Sequence, residues 1–200
     1  MASAPPLALR FVTSAPSAAH LPDSPAEVAV AGRSNVGKSS LINALANRKR
    51  LAEVSKTPGR TRLLNAFALD EGPEPRATLI DLPGYGYANV PARVKAGWGP
   101  MIEDYLTGRG QLTMVMVLLD GEIGPTKLDL GMLDWVRHEQ LPHSVVATKH
   151  DKVRSSKRDR RRRDLAVQCD LEPRDVLWVS AAKGVNIDTL RRRVRSWLLD

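Results

Sequence analysis

Cysteine is nearly absent: Cys169 is the single one in 200 residues, so no disulfide can close within the chain, and a reducing, cytoplasmic setting is the expectation. Long hydrophobic runs are missing as well. The longest, residues 112–119, falls far short of the ~20 apolar residues a membrane-spanning helix needs and reads as a central strand, so no membrane partner is expected. The N-terminal stretch MASAPPLALRFVTSAPSAAH is rich in Ala, Ser and Pro but has neither a basic opening nor a continuous apolar core, which argues against a targeting leader. Residues 1–22 are expected to be loosely ordered, ahead of one domain over 23–200. His20, His138, His143 and His150 show no metal-ligand spacing, and Trp98, Trp135, Trp178 and Trp197 are too dispersed for a base-stacking platform. No internal repeat is visible. An apolar content of 42% in 200 residues suffices to bury one substantial core.

What is present begins with Gly32-Arg33-Ser34-Asn35-Val36-Gly37-Lys38-Ser39, which matches G-x-x-x-x-G-K-[ST] and is followed by Ser40. Glu27-Val28-Ala29-Val30-Ala31 reads as a buried strand before it, and Leu41, Ile42 and Leu45 recur at helical spacing after it. Glycines let such a loop wrap closely, so that successive N–H groups and a helix N-terminus face phosphate oxygens. Lys38 would reach the β and γ phosphates and Ser39 would ligate Mg²⁺. After the strand Ala77-Thr78-Leu79-Ile80 comes Asp81-Leu82-Pro83-Gly84, a D-x-x-G. In that role Asp81 would hold Mg²⁺ through water, and the Gly84 N–H would contact the γ phosphate. Thr148-Lys149-His150-Asp151 and Val179-Ser180-Ala181-Ala182-Lys183 follow apolar strands further on. Asp151 would accept from N1–H and the exocyclic amine of guanine, a match adenine cannot make. The Lys149 stem would cover the base, and the Ala181 N–H would meet guanine O6. A first-position Thr148 in place of the commoner Asn loses an amide that usually braces the phosphate loop. Taken singly, residues 148–151 could be an exposed loop and residues 81–84 a plain Pro-Gly turn; the order of the motifs along the chain argues otherwise.

Alternating strands and helices accompany the motifs: strands near 28–31, 62–69, 76–80, 112–119, 144–148 and 176–179, and helices near 38–46, ending near 106, 128–138, within the basic run after 151, and 187–199. The adjacent strands 62–69 and 76–80 suggest a hairpin. The expected fold class is therefore α/β, one Ras-like P-loop GTPase domain with a mostly parallel sheet, one antiparallel edge strand, and helices on both faces.

The segments GRSNVGKSSLINAL, SKTPGRTRLLN, DLPGYGYA, TKHDK and VSAAKG together resemble the EngB (YihA/YsxC) family of bacterial GTPases, within the TrmE/Era/EngA/EngB/septin-like superfamily, over nearly the whole chain. The resemblance implies GTP and GDP as ligands, Mg²⁺ as cofactor, a role in large ribosomal subunit assembly with rRNA as partner, and a need in cell division and septation. Thr57-Pro58-Gly59-Arg60-Thr61 offers two threonines that could close on Mg²⁺; the resemblance implies Thr61 with Ser39 as metal ligands, and Gly59, Arg60, Thr61, Arg62 and Leu63 as a nucleotide-contacting switch. It leaves Lys38, Thr61, Asp81 and Gly84 as the groups expected to act in hydrolysis. A monomer is expected.

A Ras-like enzyme places a water-orienting Gln directly after D-x-x-G, but here Tyr85 follows. Slow intrinsic hydrolysis is the consequence, with stimulation from elsewhere. Asn35 sits where related potassium-activated GTPases carry a cation-ligating asparagine, so either K⁺ acts there or Asn35 braces the loop; both readings stand. The net charge of +8 is concentrated in Lys152, Arg154, Lys157, Arg158, Arg160, Arg161, Arg162 and Arg163. Arg191, Arg192, Arg193 and Arg195 add a second run on the last helix. Such runs suit RNA phosphates or are merely solvated helix faces. The expected RNA contacts are Lys157, Arg158, Arg160, Arg161, Arg162, Arg163, Arg191 and Arg192. Two alternatives remain: an rRNA-binding assembly factor that uses GTP mainly as a structural ligand, and another translation-linked GTPase.

Overall fold

In the computed structural model, residues 3–52, 63–85 and 99–200 are described. Seven strands form one sheet: β1 (Leu9–Ala15), β2 (Glu27–Gly32), β3 (Leu64–Leu69), β4 (Thr78–Asp81), β5 (Leu112–Asp120), β6 (His143–Thr148) and β7 (Val176–Trp178). Among the described residues five α-helices surround it: α1 (Lys38–Leu45), α2 (Pro100–Gly108), α3 (Lys127–His138), α4 (Arg158–Gln168) and α5 (Ile187–Leu199). The strand order is β1-β3-β4-β2-β5-β6-β7. β4, β2, β5, β6 and β7 are parallel, while β3 runs antiparallel to both its neighbours.

Every residue of β2 is buried, as expected of a strand covered on both faces. Its alternate side chains feed two separate cores. Ala29 and Ala31 face a cluster with Ile102, Tyr105, Leu106, Met132, Leu133, Val136 and Leu165 from α2, α3 and α4. Val28 and Val30 face one with Leu41, Ile42, Leu45, Leu190, Val194 and Leu198 from α1 and α5. Since β2 and β4 to β7 are parallel, their carboxyl ends share one edge of the sheet, and the loops there carry the sequence motifs.

The hairpin expectation holds for β3 and β4, and the antiparallel pairing lies at one edge of the mostly parallel sheet, with β1 as an additional strand there. β1 lies outside β3, pairing from Leu9 opposite Leu69 to Ala15 opposite Leu64, with an irregularity between Phe11 and Thr13. Phe11 packs edge-on against Phe67, ring centroids 5.7 Å apart. Residues 9–15 therefore belong to the sheet, and Leu7, Leu9, Ala15 and Leu21 are buried, contrary to the expected loose leader. A short Ala/Ser/Pro-rich segment carries little local signal; pairing with the sequence-distant β3, from Leu9 opposite Leu69 to Ala15 opposite Leu64, defines it.

The last helix corrects a second expectation. Arg191 is buried, with Nε 3.0 Å from the Leu45 carbonyl, Nη2 2.8 Å from that of Ala44, and Nη1 3.2 Å from that of Ala4 and 3.0 Å from Asp188 Oδ1. Arg195 donates to Glu71 at 2.7 and 3.0 Å and to the carbonyls of Pro5 and Pro6. These guanidiniums tie the N-terminal segment, the end of α1 and the β3–β4 turn onto α5, so Arg191 is not a surface contact for RNA. Arg192 is exposed and donates to Thr189 Oγ1 on its own helix at 3.3 Å. Arg191→Ala would leave three carbonyls without this donor, and urea denaturation should show about 3 kcal/mol lost, whereas Arg192→Ala should change stability by less than about 0.5 kcal/mol.

Cys169 is buried at the end of α4, and burial pushes its thiol up to about 11. Among the described residues no helix is long and apolar enough to cross a membrane.

Candidate nucleotide site

The phosphate loop joins β2 to α1. Gly37 has φ 107°, in the left-handed region that an L side chain resists, and it turns the chain directly into α1. Asn35 adopts φ 63° and is exposed at the rim of the loop. Val36 is buried beneath it, while Ser34, Lys38 and Ser39 are half-buried and Ser40 is exposed on the first turn of α1. Lys38 Nζ lies 3.3 Å from the Gly32 carbonyl. Burial holds its ammonium below the usual lysine range, opposed by Asp81.

Asp81 ends β4 beside this lysine. It is buried, and its Oδ1 has no hydrogen-bond partner among the described residues. Burial raises its carboxyl to about 6 against the pull of Lys38 and a hydrogen bond from Asn65. A buried carboxylate oxygen lacking a partner fits the water shell of a hydrated Mg²⁺, which the half-buried Ser39 hydroxyl would ligate. Among the described residues no group of three or more His, Cys, Asp or Glu side chains could hold a metal unaided. Leu82 is buried and Pro83 half-buried. Gly84 packs directly on the phosphate loop: a Cβ there would lie 2.9 Å from Ser34 Cα and N and 2.8 Å from its hydroxyl. The Ser34 N–H donates to the Tyr85 carbonyl at 3.0 Å, which fastens D-x-x-G to the loop.

The side chain of Tyr85 turns away from this surface. It is 3% exposed, and its hydroxyl donates to Asp129 Oδ1 at 3.0 Å. Burial, then the adjacent Asp129 charge, raises the phenol well above its usual range. Asp129 Oδ2 accepts from the N–H and hydroxyl of Thr126 at 2.8 Å each, forming the capping box of α3.

Thr148 ends β6 and Val179 directly follows β7, both buried, with residues 149–151 and 180–181 leading away from the same edge. The Thr148 hydroxyl is 2.7 Å from the Val36 carbonyl and 3.1 Å from that of Leu119. The brace expected to be lost with the missing Asn is thus supplied by a hydroxyl, because the phosphate loop comes close enough for the shorter side chain. Lys149 stands at φ 56° and its Nζ bonds Asp120 Oδ2 at 2.6 Å. Asp151 Oδ1 accepts from Ser180 Oγ at 2.6 Å, and Ser180 Oγ accepts the Lys183 N–H at 3.1 Å. The Ser180 bond holds the Asp151 carboxyl below its usual range, against a smaller burial effect. The His150 ring packs edge-on toward Trp178, centroids 6.2 Å apart. Burial, then Arg158 and Arg162, lowers its pKa, so the imidazole is neutral at pH 7. Ala181 is half-buried.

The structure therefore gathers residues 32–40, 81–84, 148–151 and 179–181 at one edge of the sheet. Gly59, Arg60, Thr61 and Arg62, with the alternative Thr57, lie outside the described residues; Leu63 is exposed. The basic run occupies α4 and its approach. Lys157, Arg160 and Arg163 are exposed there, and Arg158, Arg161 and Arg162 half-buried. A pocket of about 440 Å³ there is lined by Lys152, Arg154, Lys157, Arg160 and Arg161, with Glu122 and Asp164.

Three residues escaped the sequence analysis. Asp120 and Asp129 receive Lys149, Arg33 and Tyr85. The available signals were a carboxylate closing an apolar strand and a Thr three residues before an Asp. Asn43, buried in α1, bonds the Ala52 carbonyl and the N–H groups of Leu51 and Ala52, and gave no comparable signal.

Residues 27–149 match the family model described as 50S ribosome-binding GTPase. The chain is 44% identical over 192 residues to a probable GTP-binding protein EngB of Geotalea daltonii, covering 95% of this chain and 90% of that one. Its fold is similar to a crystal structure of a probable GTP-binding protein engB, with TM-score 0.67, 24% identity, and 86% and 98% of the two chains covered. It is also similar to Era in complex with MgGDPNP and nucleotides 1506–1542 of 16S ribosomal RNA, with TM-score 0.67, 23% identity, and 88% and 57% covered. A G-x-x-x-x-G-K-S loop, a D-x-x-G and a T-K-H-D loop at one sheet edge, with relatedness along nearly the full length, place this chain in the EngB family of GTP-binding proteins, carrying a single GTPase domain.

Proposed function

We propose that the chain is a Mg²⁺-dependent GTP switch in large ribosomal subunit assembly, with slow intrinsic hydrolysis that K⁺, ribosomal particles or both accelerate. The observation that carries this reading is Tyr85. The position that would orient the attacking water instead sends its side chain to Asp129 under α3, so water orientation and added positive charge must come from outside the described site.

Within the site, Lys38 takes the β and γ phosphates and Asp151 reads the guanine edge. Gly84, held on Ser34, presents its N–H to the γ phosphate. Mg²⁺ bound by Ser39 and Thr61, and through water by Asp81, would neutralise charge gathering on the phosphates. With the γ phosphate present, the segments around Thr61 and Gly84 order into a docking surface; its loss releases them. Asn35, exposed at the rim, is the candidate K⁺ ligand.

The matching family model's description supports a large-subunit partner, and Era's complex supports RNA beside a chain of this fold. The α4 surface at Lys157, Arg158, Arg160, Arg161, Arg162 and Arg163, with Arg192, is our candidate contact. The role is cytoplasmic, the working form a monomer, and cell division with septation depends on it. Replacing Arg160, Arg161, Arg162 and Arg163 by Glu should leave nucleotide affinity intact while cutting particle association by on the order of 10³-fold and flattening its salt dependence. Association unchanged in a low-salt pelleting assay would make the run a solvated face.

The decisive experiment measures GTP turnover in K⁺ and in Na⁺, each with and without large-subunit precursor particles. Particle stimulation supports the switch, and a K⁺ requirement that Asn35→Ala removes assigns Asn35 its part. Tyr85 also favours a second reading, an RNA-binding factor for which GTP is a structural ligand. Flat, slow turnover in all four conditions with GTP-dependent particle binding would select it.

A further inference from the structure

Base loop and phosphate loop each send a cation to the same buried carboxylate. Asp120 closes β5 with its side chain 1% exposed. Its Oδ1 accepts the N–H groups of Glu122 at 3.0 Å and Ile123 at 3.2 Å, which forms the turn after the strand. Its Oδ2 faces Lys149 Nζ at 2.6 Å and Arg33 Nη2 at 3.5 Å. Arg33 also places Nε 3.6 Å from Asp129 Oδ2. Two buried acids and two half-buried bases therefore form a neutral group beneath the nucleotide edge. A carboxylate so deeply buried is tolerated only with such partners.

We propose that Asp120 is a positioning residue for guanine-nucleotide binding, acting by pinning the Lys149 ammonium so that the lysine stem forms a fixed floor for the base. The inference rests on reading residues 148–151 as the base loop. A free lysine side chain samples many rotamers, and ordering it upon binding costs affinity. Two constraints hold this one before any ligand arrives: a left-handed backbone at Lys149 and a short ion pair with a buried partner. The aliphatic stem between them is left to cover an apolar ring face, as long cationic side chains do. Arg33 shares the same oxygen, so Asp120 also ties the base loop to the residue following Gly32 in the phosphate loop.

Two variants of the full chain separate pinning from packing. Asp120→Asn retains an acceptor for Glu122 and Ile123 and removes the charge. Lys149→Met retains an apolar stem and removes the ammonium. Calorimetric titration with GDP and with inosine diphosphate should show each variant weakened about tenfold, the double variant no weaker than the weaker single, and the GDP-to-IDP ratio unchanged, since the amine that distinguishes those bases belongs to Asp151. Lys149→Met leaves the buried Asp120 carboxylate with Arg33 as its remaining counter-charge and should lower the melting temperature of the nucleotide-free protein by several degrees, so binding is titrated well below that temperature, where circular dichroism shows each variant folded, and a loss of affinity in the folded population is the pinning effect. GDP binding by Lys149→Met at wild-type strength, or additive losses in the double variant, would overturn the inference. Lys149→Met carries the test even where Asp120→Asn does not fold. An Asp151→Asn chain that binds GDP like the wild type would instead remove the base-loop reading, and this inference with it.

Discussion

Lys38→Ala is expected to lose GTP affinity by about 100-fold or more when titrated calorimetrically at fixed Mg²⁺, and GDP affinity by less, because charge-assisted hydrogen bonds to phosphate contribute roughly 1.5–3 kcal/mol each and in the proposed role this side chain meets two phosphates of GTP but one of GDP. The structure sharpens that expectation. Lys38 is held at the mouth of its own loop by a 3.3 Å contact to the Gly32 carbonyl, and burial already disfavours its charge. A desolvated ammonium with one carbonyl contact has little solvation left to lose when an anion arrives, so most of the Coulomb attraction appears as affinity. Lys38→Met, of similar length, should fall as far as Lys38→Ala, which separates charge from packing. Wild-type affinity in either variant would remove residues 32–39 from phosphate binding.

The second large effect belongs to Asp151. Asp151→Asn should weaken GDP by about 100-fold and strengthen xanthosine diphosphate, since an amide presents one donor and one acceptor where a carboxylate presents two acceptors. Guanine offers two donors to that edge and xanthine a donor and a carbonyl, so the substitution exchanges a match for a mismatch. Ser180 makes the discrimination steep by fixing the carboxylate at 2.6 Å before the base binds. Ser180→Ala should therefore cost GDP affinity in the same direction, by about tenfold, the worth of one hydrogen bond to a charged group. Equal losses for GDP and ADP in Asp151→Asn, without any gain for the xanthine nucleotide, would show that this residue does not read the base.

Much of the edge that carries these residues was legible in the primary structure because its parts are local. A glycine that must turn at φ 107°, a lysine and a hydroxyl immediately after it, and an apolar run before it all lie between Val28 and Ser39, and each has one chemical reason to be there. The alternation of β2 and the 3.6-residue spacing of α5 are equally local, and the strands and helices fall within a few residues of their expected ends. The failures share the opposite character. β1 depends on Phe67 and its neighbours, and the apparent brace deficit at Thr148 disappears because Val36 lies 2.7 Å away across 112 residues of chain. Arg191 and Arg192 are adjacent members of one basic run. Only the helix's rotation against α1 decides that the first is consumed by four oxygens and the second faces solvent.

By itself, then, the sequence determined which motifs are offered, G-x-x-x-x-G-K-S, D-x-x-G, T-K-H-D and S-A-A-K, in an order that an alternating α/β chain brings to one edge. Tertiary structure alone decided how those parts are held. Asp120 and Asp129 become a shared anchor for Arg33, Lys149 and Tyr85 only once β5 and α3 lie beside the phosphate loop, and the two carboxylates are buried only because the sheet and its helices close over them. Burial of charge is a property of the whole fold, and a linear pattern of residue types does not contain it.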